Sequence, residues 1–408
     1  MIYDICIIGG GAAGLFAAVC AKQKDSRLNV VILERLDRVG KKLSITGNGR
    51  CNITNRFCDV SHYHGKKPQF ILSAFSLFSK EDTERFFEDL GVPIIYEGDK
   101  GFPYSLQASS VTDALRFRCD ELGIATMCGQ QVTDIRKKDN IFSVLTAKES
   151  IKARCVIAAG GMLSGGAKLG CDGSLYEILK RMGIAFADPS PAIVQLKTET
   201  DFVRQLKGIK VDAGVSLMRG KAEIKRESGE VLFCDYGLSG PPVLQLSGHC
   251  KVGDTAMLDL MPDFDIDALT CKLKRRKENL IRRKNDEFLS GFMNKRLGQI
   301  VLKRAGISLG KCVFDLTDSD IYNTAILIKA FPLKITGNMG LCNSQVTKGG
   351  LLCDEFFPDT MMCKKIHGLF AAGEILDIDG DCGGFNLQWA WSSGFCAAEG
   401  AIKYLKGK

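Results

Sequence analysis

A glycine-rich turn close to the first residue limits the fold of this chain more than any other feature. The apolar run Tyr3–Ile8 leads into residues 9–14, which read GGGAAG, and an alanine-rich stretch follows. Gly9, Gly11 and Gly14 occupy the three glycine positions of the pattern G-x-G-x-x-G. This order predicts a strand, a tight turn and a helix that together bind a dinucleotide.

Each glycine of the turn has a separate physical task. Gly9 permits the tight turn after the strand, Gly11 lets the backbone approach a pyrophosphate, and Gly14 lets the helix pack against the sheet. The first turn of the helix offers free N–H groups and the positive end of the helix dipole to phosphates. Glu34 ends the next apolar run, at the spacing of a carboxylate that accepts hydrogen bonds from ribose hydroxyls. The alternative, a glycine turn without a ligand, leaves Glu34 unexplained.

Length and composition exclude several classes of protein. With 408 residues, of which 45% are hydrophobic, the chain is long enough for two or three domains with buried cores. Residues 5–21 carry no charge, but the glycine turn within them argues against a membrane span. Met1–Asp4 lacks the basic residues of a secretory signal, so a cytoplasmic protein is the default expectation.

The 17 cysteines form no recognisable metal or redox pattern. None stands in a C-x2-C or C-x4-C pair, so the sequence indicates neither a zinc site nor a redox dithiol. We expect most of them to be buried thiols in a reducing compartment. His62 and His64 stand close together, but no further ligand motif accompanies them, and no metal site is predicted.

The positive charge of the chain is concentrated in one segment. The formal net charge is +8, and residues 272–304 alone hold twelve Lys or Arg against three Asp or Glu. Such a segment can attract nucleic acid or an anionic surface. The favoured interpretation is the solvated face of an amphipathic helix, and nucleic acid is therefore not the expected partner. The residues expected on the buried side of this helix are Leu273, Leu280, Ile281, Phe288 and Leu289.

The first part of the chain has the alternation of an α/β domain. Residues 1–189 contain predicted strands and helices in turn, including helices over Ser79–Leu90 and Val111–Leu122. Ile151–Ile157 has the pattern of a strand and is soon followed by Gly160, where the backbone would pass close to a ligand. This part therefore predicts a sheet whose strand ends carry the cofactor.

The middle of the chain reads as an insert in that domain. Prolines separate short strand-like runs, among them Ala222–Lys225 and Val231–Cys234, which indicates a small β-barrel or sandwich. The cofactor-binding domain is consequently discontinuous. The expected borders are 1–189 for its first part, 190–264 for the β-rich insert, 265–305 for a basic helical segment, 306–333 for the return and 334–408 for its second part.

A polar segment after the second strand is a further candidate for cofactor binding. Residues 40–55 are rich in glycine, cations and asparagine. A flexible backbone that carries Lys42, Arg50 and Asn52 can lie along a diphosphate and the edge of an isoalloxazine ring. We expect Cys51 to be a small buried residue near that ring rather than a nucleophile. The alternative is a polar surface loop.

The third candidate segment lies near the end of the chain. A short apolar run is followed by Gly373 and Glu374, and a carboxylate in this position can hold ribityl hydroxyls. Gly384 precedes the final predicted helix, Asn386–Leu405, whose N-terminal dipole would favour a reduced, anionic flavin. The competing view is an ordinary terminal helix that packs on the sheet. Both views are compatible, because only the first turn need touch the cofactor.

Together these segments resemble a bacterial and archaeal family of FAD-binding proteins, which includes a 3-dehydro-bile acid Δ4,6-reductase and proteins labelled aminoacetone oxidases. The resemblance covers nearly the whole chain. Besides the glycine turn, the matching motifs are G-K-K…G-x-G-R-C-N, F-P-x-S, G-L-S-G-P, Q-V-T-x-G-G and A-G-E-x-L-D-x-D-G…G-G-[YF]-N-L-Q. In this sequence they stand at Gly40–Asn52, Phe102–Ser105, Gly237–Pro241, Gln345–Gly350 and Ala372–Gln388.

The resemblance implies a Rossmann-like FAD domain of the glutathione-reductase type, with the inserted domain described above. It implies FAD contacts at Ala13, Glu34, Lys42, Arg50, Asn386 and Leu387. The full expected cofactor-binding set is Gly9, Gly11, Ala12, Ala13, Gly14, Glu34, Lys42, Arg50, Asn52, Val132, Gly160, Gly373, Glu374, Gly384, Asn386 and Leu387.

Two stretches depart from the family pattern. Lys100-Gly101 precede the Phe-Pro motif, where the family often has Gly-Arg, and this difference bears on substrate preference. Leu169–Gly173 replaces a frequent S-T-G-D-G, which leaves the contacts near this stretch unassigned.

The resulting hypothesis is an FAD-dependent oxidoreductase that acts on a small molecule. We expect NAD(P)H to reduce the flavin and an apolar enone or steroid-like compound to accept the electrons. Only one G-x-G-x-x-G is present, so NAD(P)H would bind transiently. The open alternatives are oxidation of an amine by oxygen, an RNA-associated flavoprotein, and a flavoprotein without turnover. Tyr104 and Ser105 are candidate proton donors, and the alternative for both is a packing turn.

Overall fold

The computed structural model describes residues 1–407, which form two compact units. The first unit consists of Met1–Ala192 and the segment from Gly340 onwards, and the second unit is Ile193–Met339. The sequence places the end of the insert at 333. That position falls within a strand, Phe331–Asn338, which pairs with two other strands of the second unit, so the insert continues to the end of this strand.

The helices include both of those predicted over Ser79–Leu90 and Val111–Leu122. The first helix of the chain begins at Ala12, within the glycine-rich turn. Ser79 caps the helix predicted at Ser79–Leu90: its Oγ accepts from the N–H of Asp82, whose carboxylate accepts from the N–H of Ser79. In chain order the helices are α1 (Ala12–Lys24), α2 (Thr46–Gly49), α3 (Ile71–Leu77), α4 (Lys80–Asp89), α5 (Ala108–Glu121), α6 (Ser174–Arg181), α7 (Pro241–Ser247), α8 (Ile266–Asn279), α9 (Lys295–Arg304), α10 (Asp318–Lys329) and α11 (Phe385–Lys406).

Within residues 1–407, the strands outside the central sheet and the barrel form three small sheets. In chain order they are β1 (Ile2–Ile8), β2 (Val30–Glu34), β3 (Thr54–Asn55), β4 (Tyr63–His64), β5 (Ile94–Glu97), β6 (Lys100–Pro103), β7 (Ala125–Cys128), β8 (Val132–Lys138), β9 (Ile141–Thr146), β10 (Ser150–Ala158), β11 (Phe186–Ala192), β12 (Leu196–Thr198), β13 (Lys210–Arg219), β14 (Ala222–Phe233), β15 (Gly237–Ser239), β16 (Thr255–Asp259), β17 (Phe331–Asn338), β18 (Val346–Leu351), β19 (Leu369–Ala371) and β20 (Asp379–Gly380).

Parallel strands form the centre of the first unit. The order β7-β2-β1-β10 is parallel throughout, and β19 adds to the C-terminal half of β10. β9 and β8 complete the sheet in antiparallel orientation. Parallel sheets are covered on both faces, which explains why β2 is an uninterrupted buried run. In the register of β1 and β10, Ile8 lies opposite Ala158, so the glycines after both strands meet.

The terminal helix α11 passes through the core of the first unit. Trp389 and Trp391 are among its largest fully buried side chains. Their indole N–H groups donate to the backbone, that of Trp389 to the oxygen of Gly373 at 3.2 Å and that of Trp391 to the oxygen of Ile53 at 3.0 Å. Burial of these rings therefore leaves no unpaired indole donor.

The second unit is built around a closed barrel, with strand order β12-β15-β14-β13-β16-β17. The predicted β-rich insert is thus a barrel rather than a sandwich. Ala222–Lys225 and Val231–Cys234, expected as separate strands, belong mainly to the single strand β14, which pairs with β13 almost throughout. None of the residues 222–230 is buried, so this part of β14 carries polar side chains on both of its faces. Its backbone pairing with β13 keeps the strand continuous.

The basic segment is not one continuous helix. α8 ends at Asn279 and α9 begins at Lys295, with turns between them. Leu273 is buried on α8, as the amphipathic interpretation predicts, whereas Phe288 and Leu289 are buried in the segment between the two helices. Ile281 is 41% exposed, against expectation, because it follows the end of α8 and the helical period no longer applies to it.

The burial of the thiols agrees with the expectation from composition. Nine of the 17 cysteines are buried. In the chain as far as residue 407, no helix combines the length and the apolarity that crossing a membrane requires.

Candidate functional site

Two close contacts shape the glycine turn between β1 and α1. Gly9 has a φ of 106°, and a Cβ atom on it would lie 2.5 Å from the carbonyl oxygen of Ala159. A Cβ atom on Gly14 would lie 1.9 Å from the carbonyl oxygen of Gly9. A side chain on Gly14 would push α1 away from the end of β1, and a side chain on Gly9 would collide with the backbone that follows β10. A Cβ atom on Gly11 would meet nothing within 4 Å, so this side of the turn faces open space.

Glu34 is held rigidly beside the same turn. Its Oε2 accepts from the N–H of Gly10 at 2.9 Å, and its Oε1 accepts from the N–H of Leu36 at 2.8 Å. The residue is 8% exposed. A carboxylate offers about four lone-pair positions, so two backbone bonds leave acceptor capacity for a pair of ribose hydroxyls.

Other residues expected at the cofactor surround this turn. Gly160 follows β10, and a Cβ atom on Gly9 would lie 2.7 Å from its Cα. Val132 begins β8, two residues after Gln130, whose N–H donates to the backbone oxygen of Glu34 at 2.8 Å. Ala12 and Ala13 are the first residues of α1. All four positions therefore lie at the strand ends where the sequence places the adenylate.

Lys42 and Glu374 bind each other across more than 300 residues of sequence. The Lys42 Nζ lies 2.5 Å from the Glu374 Oε2 and also donates to the Ser164 hydroxyl. The Ser164 hydroxyl donates to the Glu374 Oε1, which also accepts from the N–H of Thr347 at 2.8 Å. Burial alone would lower the pKa of Lys42, but the Glu374 carboxylate holds it above its ordinary value, so the ammonium stays charged.

Sequence reasoning missed two members of this network. Ser164 carried no recognisable pattern, because its partners lie 122 and 210 residues away. Thr347 belongs to the Q-V-T-x-G-G motif, so the resemblance to the family could have indicated it as a site residue. Its hydroxyl accepts from the N–H groups of Leu163 and Ser164 and joins the two segments.

The loop that carries Arg50 and Asn52 is strongly folded back on itself. Cys51 has a positive φ and is fully buried, and burial raises its pKa to about 12. It is therefore a thiol at neutral pH, in agreement with a packing role rather than a nucleophilic one. The guanidinium of Arg50 pairs with Glu97 and stacks over the ring of Phe102 at 4.3 Å.

Asn52 joins this loop to the beginning of α11. With its amide in the hydrogen-bonding orientation, the oxygen accepts from the N–H of Gly384 and the nitrogen donates to the carbonyl oxygens of Thr54 and Gly101. Gly384 has a φ of 100°, and a Cβ atom on it would lie 2.3 Å from the oxygen of Thr54. Only glycine fits here, so the loop and the helix start are fixed against each other.

The first turn of α11 is available through its backbone rather than through its side chains. The Asn386 side chain accepts from the N–H of Gly380 and donates to its carbonyl oxygen, both at 2.8 Å, so it positions the preceding loop. Leu387 is partly buried against the core. The N–H groups of a first helical turn have no acceptors within the helix. They can therefore face an anionic or electron-rich edge of a ligand.

A cluster of histidine and aspartate side chains lies beside this helix start. The His62 Nδ1 lies 3.1 Å from one oxygen of Asp381, and the His64 Nε2 lies 2.9 Å from the other. Asp379, opposite His64 in the pairing of β20 with β4, is 4% exposed. Burial raises the pKa of Asp379 to about 6, although His64 and Lys348 oppose this rise.

The candidate proton donors of the Phe-Pro motif occupy an open position. Tyr104 is 70% exposed. The hydroxyl of Ser105 lies 2.8 Å from that of Ser110 at the start of α5. This arrangement is typical of a solvent-facing turn and gives neither side chain an enclosed site for proton transfer.

The residues around the turn fit the adenylate half of FAD. The open space at Gly11, the spare acceptor capacity of Glu34 and the first turn of α1 supply what a pyrophosphate and a ribose require. No group of three or more His, Cys, Asp or Glu side chains that could hold a metal ion occurs within residues 1–407.

Comparison with known proteins agrees with this description over nearly the whole chain. The family described as the HI0933-like protein Rossmann domain matches residues 3–400. A 3-dehydro-bile acid Δ(4,6)-reductase from Clostridium scindens is 33% identical over 98% of this chain and 99% of its own length. A ribosomal RNA dihydrouridine synthase from Escherichia coli is 28% identical over 98% of both chains.

Solved structures share the fold at low sequence identity. A 3-ketosteroid Δ1-dehydrogenase from Sterolibacterium denitrificans superposes with a TM-score of 0.51 at 13% identity, and the match covers the full length of both chains. At this identity the similarity concerns the fold alone.

Two glycine substitutions should separate packing from ligand binding. Gly14→Ala places a methyl group against the oxygen of Gly9, so we expect a loss of about 2 kcal/mol or more in the free energy of unfolding. Gly11→Ala meets open space and should keep the stability of the wild type, but it should weaken FAD binding at least tenfold. Chemical denaturation and titration of the FAD-free protein with FAD measure the two effects. Equal loss of stability in both variants would contradict this assignment.

Asp379 should make the protein less stable as the pH rises. Its pKa is raised in the folded state, so its contribution to stability is complete below about pH 4, the pKa of an unfolded aspartate, and is lost through about pH 6. Asp379→Asn should therefore be more stable than the wild type at pH 7, by about 1–3 kcal/mol, and equally stable at pH 4. Denaturation midpoints across this range measure the difference. The exposed Asp354→Asn is the control and should change little.

Proposed function

The chain belongs to the HI0933-like Rossmann-domain family and is an FAD-dependent oxidoreductase, and we propose that it reduces a carbon–carbon double bond conjugated to a carbonyl group in a steroid-like substrate. The observation that carries this proposal is the whole-length similarity to a reductase of 3-dehydro bile acids. In such a compound the keto group at C3 is conjugated with the double bonds at C4 and C6. That conjugation makes C7, the carbon at the far end of the conjugated system, electrophilic.

The residues of the first unit have distinct tasks in this reaction. The turn at Gly11 and the carboxylate of Glu34 would hold the adenylate half of FAD, and the ion pair of Lys42 with Glu374 would orient its middle. When bound in reduced form, FAD supplies two electrons and one hydrogen to the substrate double bond. The first turn of α11 would favour this reduced form, because its positive dipole end stabilises negative charge.

NAD(P)H is the proposed source of the electrons. The sequence contains one G-x-G-x-x-G, which the adenylate of FAD would occupy. A nicotinamide donor would therefore bind, reduce the flavin and leave before the substrate enters. We place this reaction in the cytoplasm, where reduced nicotinamide is available and free thiols stay reduced.

A uridine of ribosomal RNA is a second candidate substrate. The C5–C6 double bond of uracil is conjugated to the C4 carbonyl, so its saturation to dihydrouridine is the same class of reaction as enone reduction. A relative named for that product matches this chain over 98% of its length. The second unit also has several exposed cations in the basic segment, Lys272, Lys274, Arg275, Arg282, Arg283 and Lys284, and such cations suit contact with phosphates.

One cation of that segment, Arg276, stabilises the fold of the second unit. The guanidinium of Arg276 donates to the carbonyl oxygens of Phe288 and Ser290 and stacks on the ring of Phe292. Its substitution would disturb the second unit whether or not RNA binds. Arg275 and Arg282 are exposed and are the better positions for a test.

Anaerobic half-reactions test the small-molecule proposal. We expect NADH or NADPH to bleach the visible absorbance of the bound flavin, because the cofactor takes two electrons. A 3-oxo-4,6-diene bile acid should then restore it, since the substrate takes the electrons back. The saturated bile acid is the matched control and should leave the flavin reduced.

Each alternative gives a different result in these assays. Failure of both nucleotides to bleach the flavin would remove NAD(P)H as donor. Failure of the diene to reoxidise the flavin would remove the steroid-like substrate. Formation of hydrogen peroxide with aminoacetone in air, without reaction of the diene, would favour amine oxidation.

Charge reversal tests the RNA candidate. We expect Arg275→Glu with Arg282→Glu to lower the affinity for ribosomal RNA at least tenfold at low salt, because two phosphate contacts are lost. FAD content should not change. The variant Lys148→Glu with Lys221→Glu makes the same change of charge at exposed positions elsewhere and is the control. Equal affinities for the two double variants would rule out the basic segment as an RNA contact.

A further inference from the structure

The His62–Asp381–His64 cluster is tied to the start of α11 by several independent contacts. The hydroxyl of Tyr63 donates to the carbonyl oxygen of Phe385 at 2.9 Å. The ring of His62 stacks on that of Phe385, with centroids 4.5 Å apart. The N–H of Asp381 donates to the carbonyl oxygen of His62 at 2.9 Å. These contacts place two histidines next to the helix turn that is proposed to face the reacting half of FAD.

The two histidines are accessible, and they differ in their surroundings. The side chains of His62 and His64 are 34% and 29% exposed, and both share the carboxylate of Asp381. Only His64 lies opposite Asp379 in the pairing of β4 with β20. Residues opposite each other in an antiparallel pair have Cβ atoms about 5 Å apart. His64 therefore has two neighbouring carboxylates, those of Asp381 and Asp379. His62 has the carboxylate of Asp381 and the aromatic ring of Phe385.

Asp379 is a buried polar group that has no role in the proposed reaction as described above. It is 4% exposed, and its Oδ1 has no hydrogen-bond partner among the residues that the structure describes. The charged groups that face it are His64 on β4, Lys348 on β18, and Asp377 and Asp381 on its own segment. A buried carboxyl oxygen without a hydrogen-bond partner is costly, so its retention beside an accessible histidine calls for a function.

Reduction of a conjugated double bond requires a proton as well as electrons. One carbon gains two electrons and one hydrogen from the reduced cofactor, and the other carbon, next to the carbonyl, must gain a proton. Histidine is the side chain that changes charge near neutral pH without special tuning. A carboxylate behind the ring orients it and stabilises its protonated form.

We infer that His64 supplies this proton, with Asp381 and Asp379 as positioning residues. This inference rests on the proposed function. The protonated ring of His64 gives its proton to the carbon next to the carbonyl, becomes neutral and regains a proton from solvent. Asp381 fixes the orientation of the ring, and the carboxyl of Asp379 couples its own charge to that of His64.

The half-reactions of His64→Asn and His62→Asn test this assignment. Both changes remove one imidazole from the same carboxylate, so each serves as the control for the other. We expect dithionite-reduced His64→Asn to react with a 3-oxo-4,6-diene bile acid at least 100-fold more slowly than the wild type. His62→Asn should react within about threefold of the wild-type rate, because His62 does not lie opposite Asp379. Ferricyanide takes up electrons alone and needs no proton on a carbon atom. It should therefore reoxidise all three proteins at the same rate.

A second measurement is independent of turnover. The chain has four histidines, so their ring signals can be assigned in nitrogen-15 NMR spectra by substitution. We expect Asp379→Asn to change the pH profile of the His64 ring signals, because it removes a carboxylate that faces this ring. The profiles of His249 and His367 should be the same in the wild type and in Asp379→Asn. An unchanged His64 profile in Asp379→Asn would refute the coupling of Asp379 to His64.

Failure of this inference is distinguishable from failure of the proposed function. A reduced wild type that does not react with the diene refutes the proposed function, and the inference falls with it. A wild type that reacts while His64→Asn reacts equally fast refutes the inference alone. Slow reaction of His64→Asn with both the diene and ferricyanide would assign His64 a structural role and would likewise overturn it.

Discussion

The packing of α1 against the end of β1 is the constraint on which the rest of the first unit depends. Gly14 lies so close to the oxygen of Gly9 that no Cβ atom fits between helix and strand. The other side of α1 meets α11 just as closely, since a Cβ atom on Gly394 would lie 2.9 Å from the oxygen of Ala13. With α1 fixed on two sides, its first turn and Glu34 remain beside an open space that suits a nucleotide.

A second level of order comes from polar side chains that join distant segments. Lys42, Ser164 and Glu374 form one network at the candidate cofactor site, and their charges and hydrogen bonds compensate for partial burial. Asn52 joins the loop after β2 to the start of α11 in a similar way. Both arrangements hold polar groups in fixed directions before any ligand arrives, which is the condition for orienting a cofactor without further cost.

The two candidate substrates require the same chemistry and differ in how they are recognised. A steroid-like enone and a uracil ring both contain a double bond conjugated to a carbonyl, so one reducing site with one proton donor suits either. Recognition would differ because RNA brings a phosphate backbone, and the exposed cations of the second unit have no evident task with an apolar molecule. In our proposals His64 takes part in the reaction, and the basic segment bears on the choice of substrate.

The sequence by itself determined the features that depend on local geometry. The glycine spacing specified the turn between β1 and α1, and a helix was expected over Ser79–Leu90, where α4 lies. Only the tertiary structure decided which distant side chains meet: it paired Lys42 with Glu374 and set His64 opposite Asp379. The physical reason is that glycines, caps and hydrophobic periods act within a few residues, whereas hydrogen bonds across hundreds of residues depend on how the whole chain packs and leave no periodic signal in the sequence.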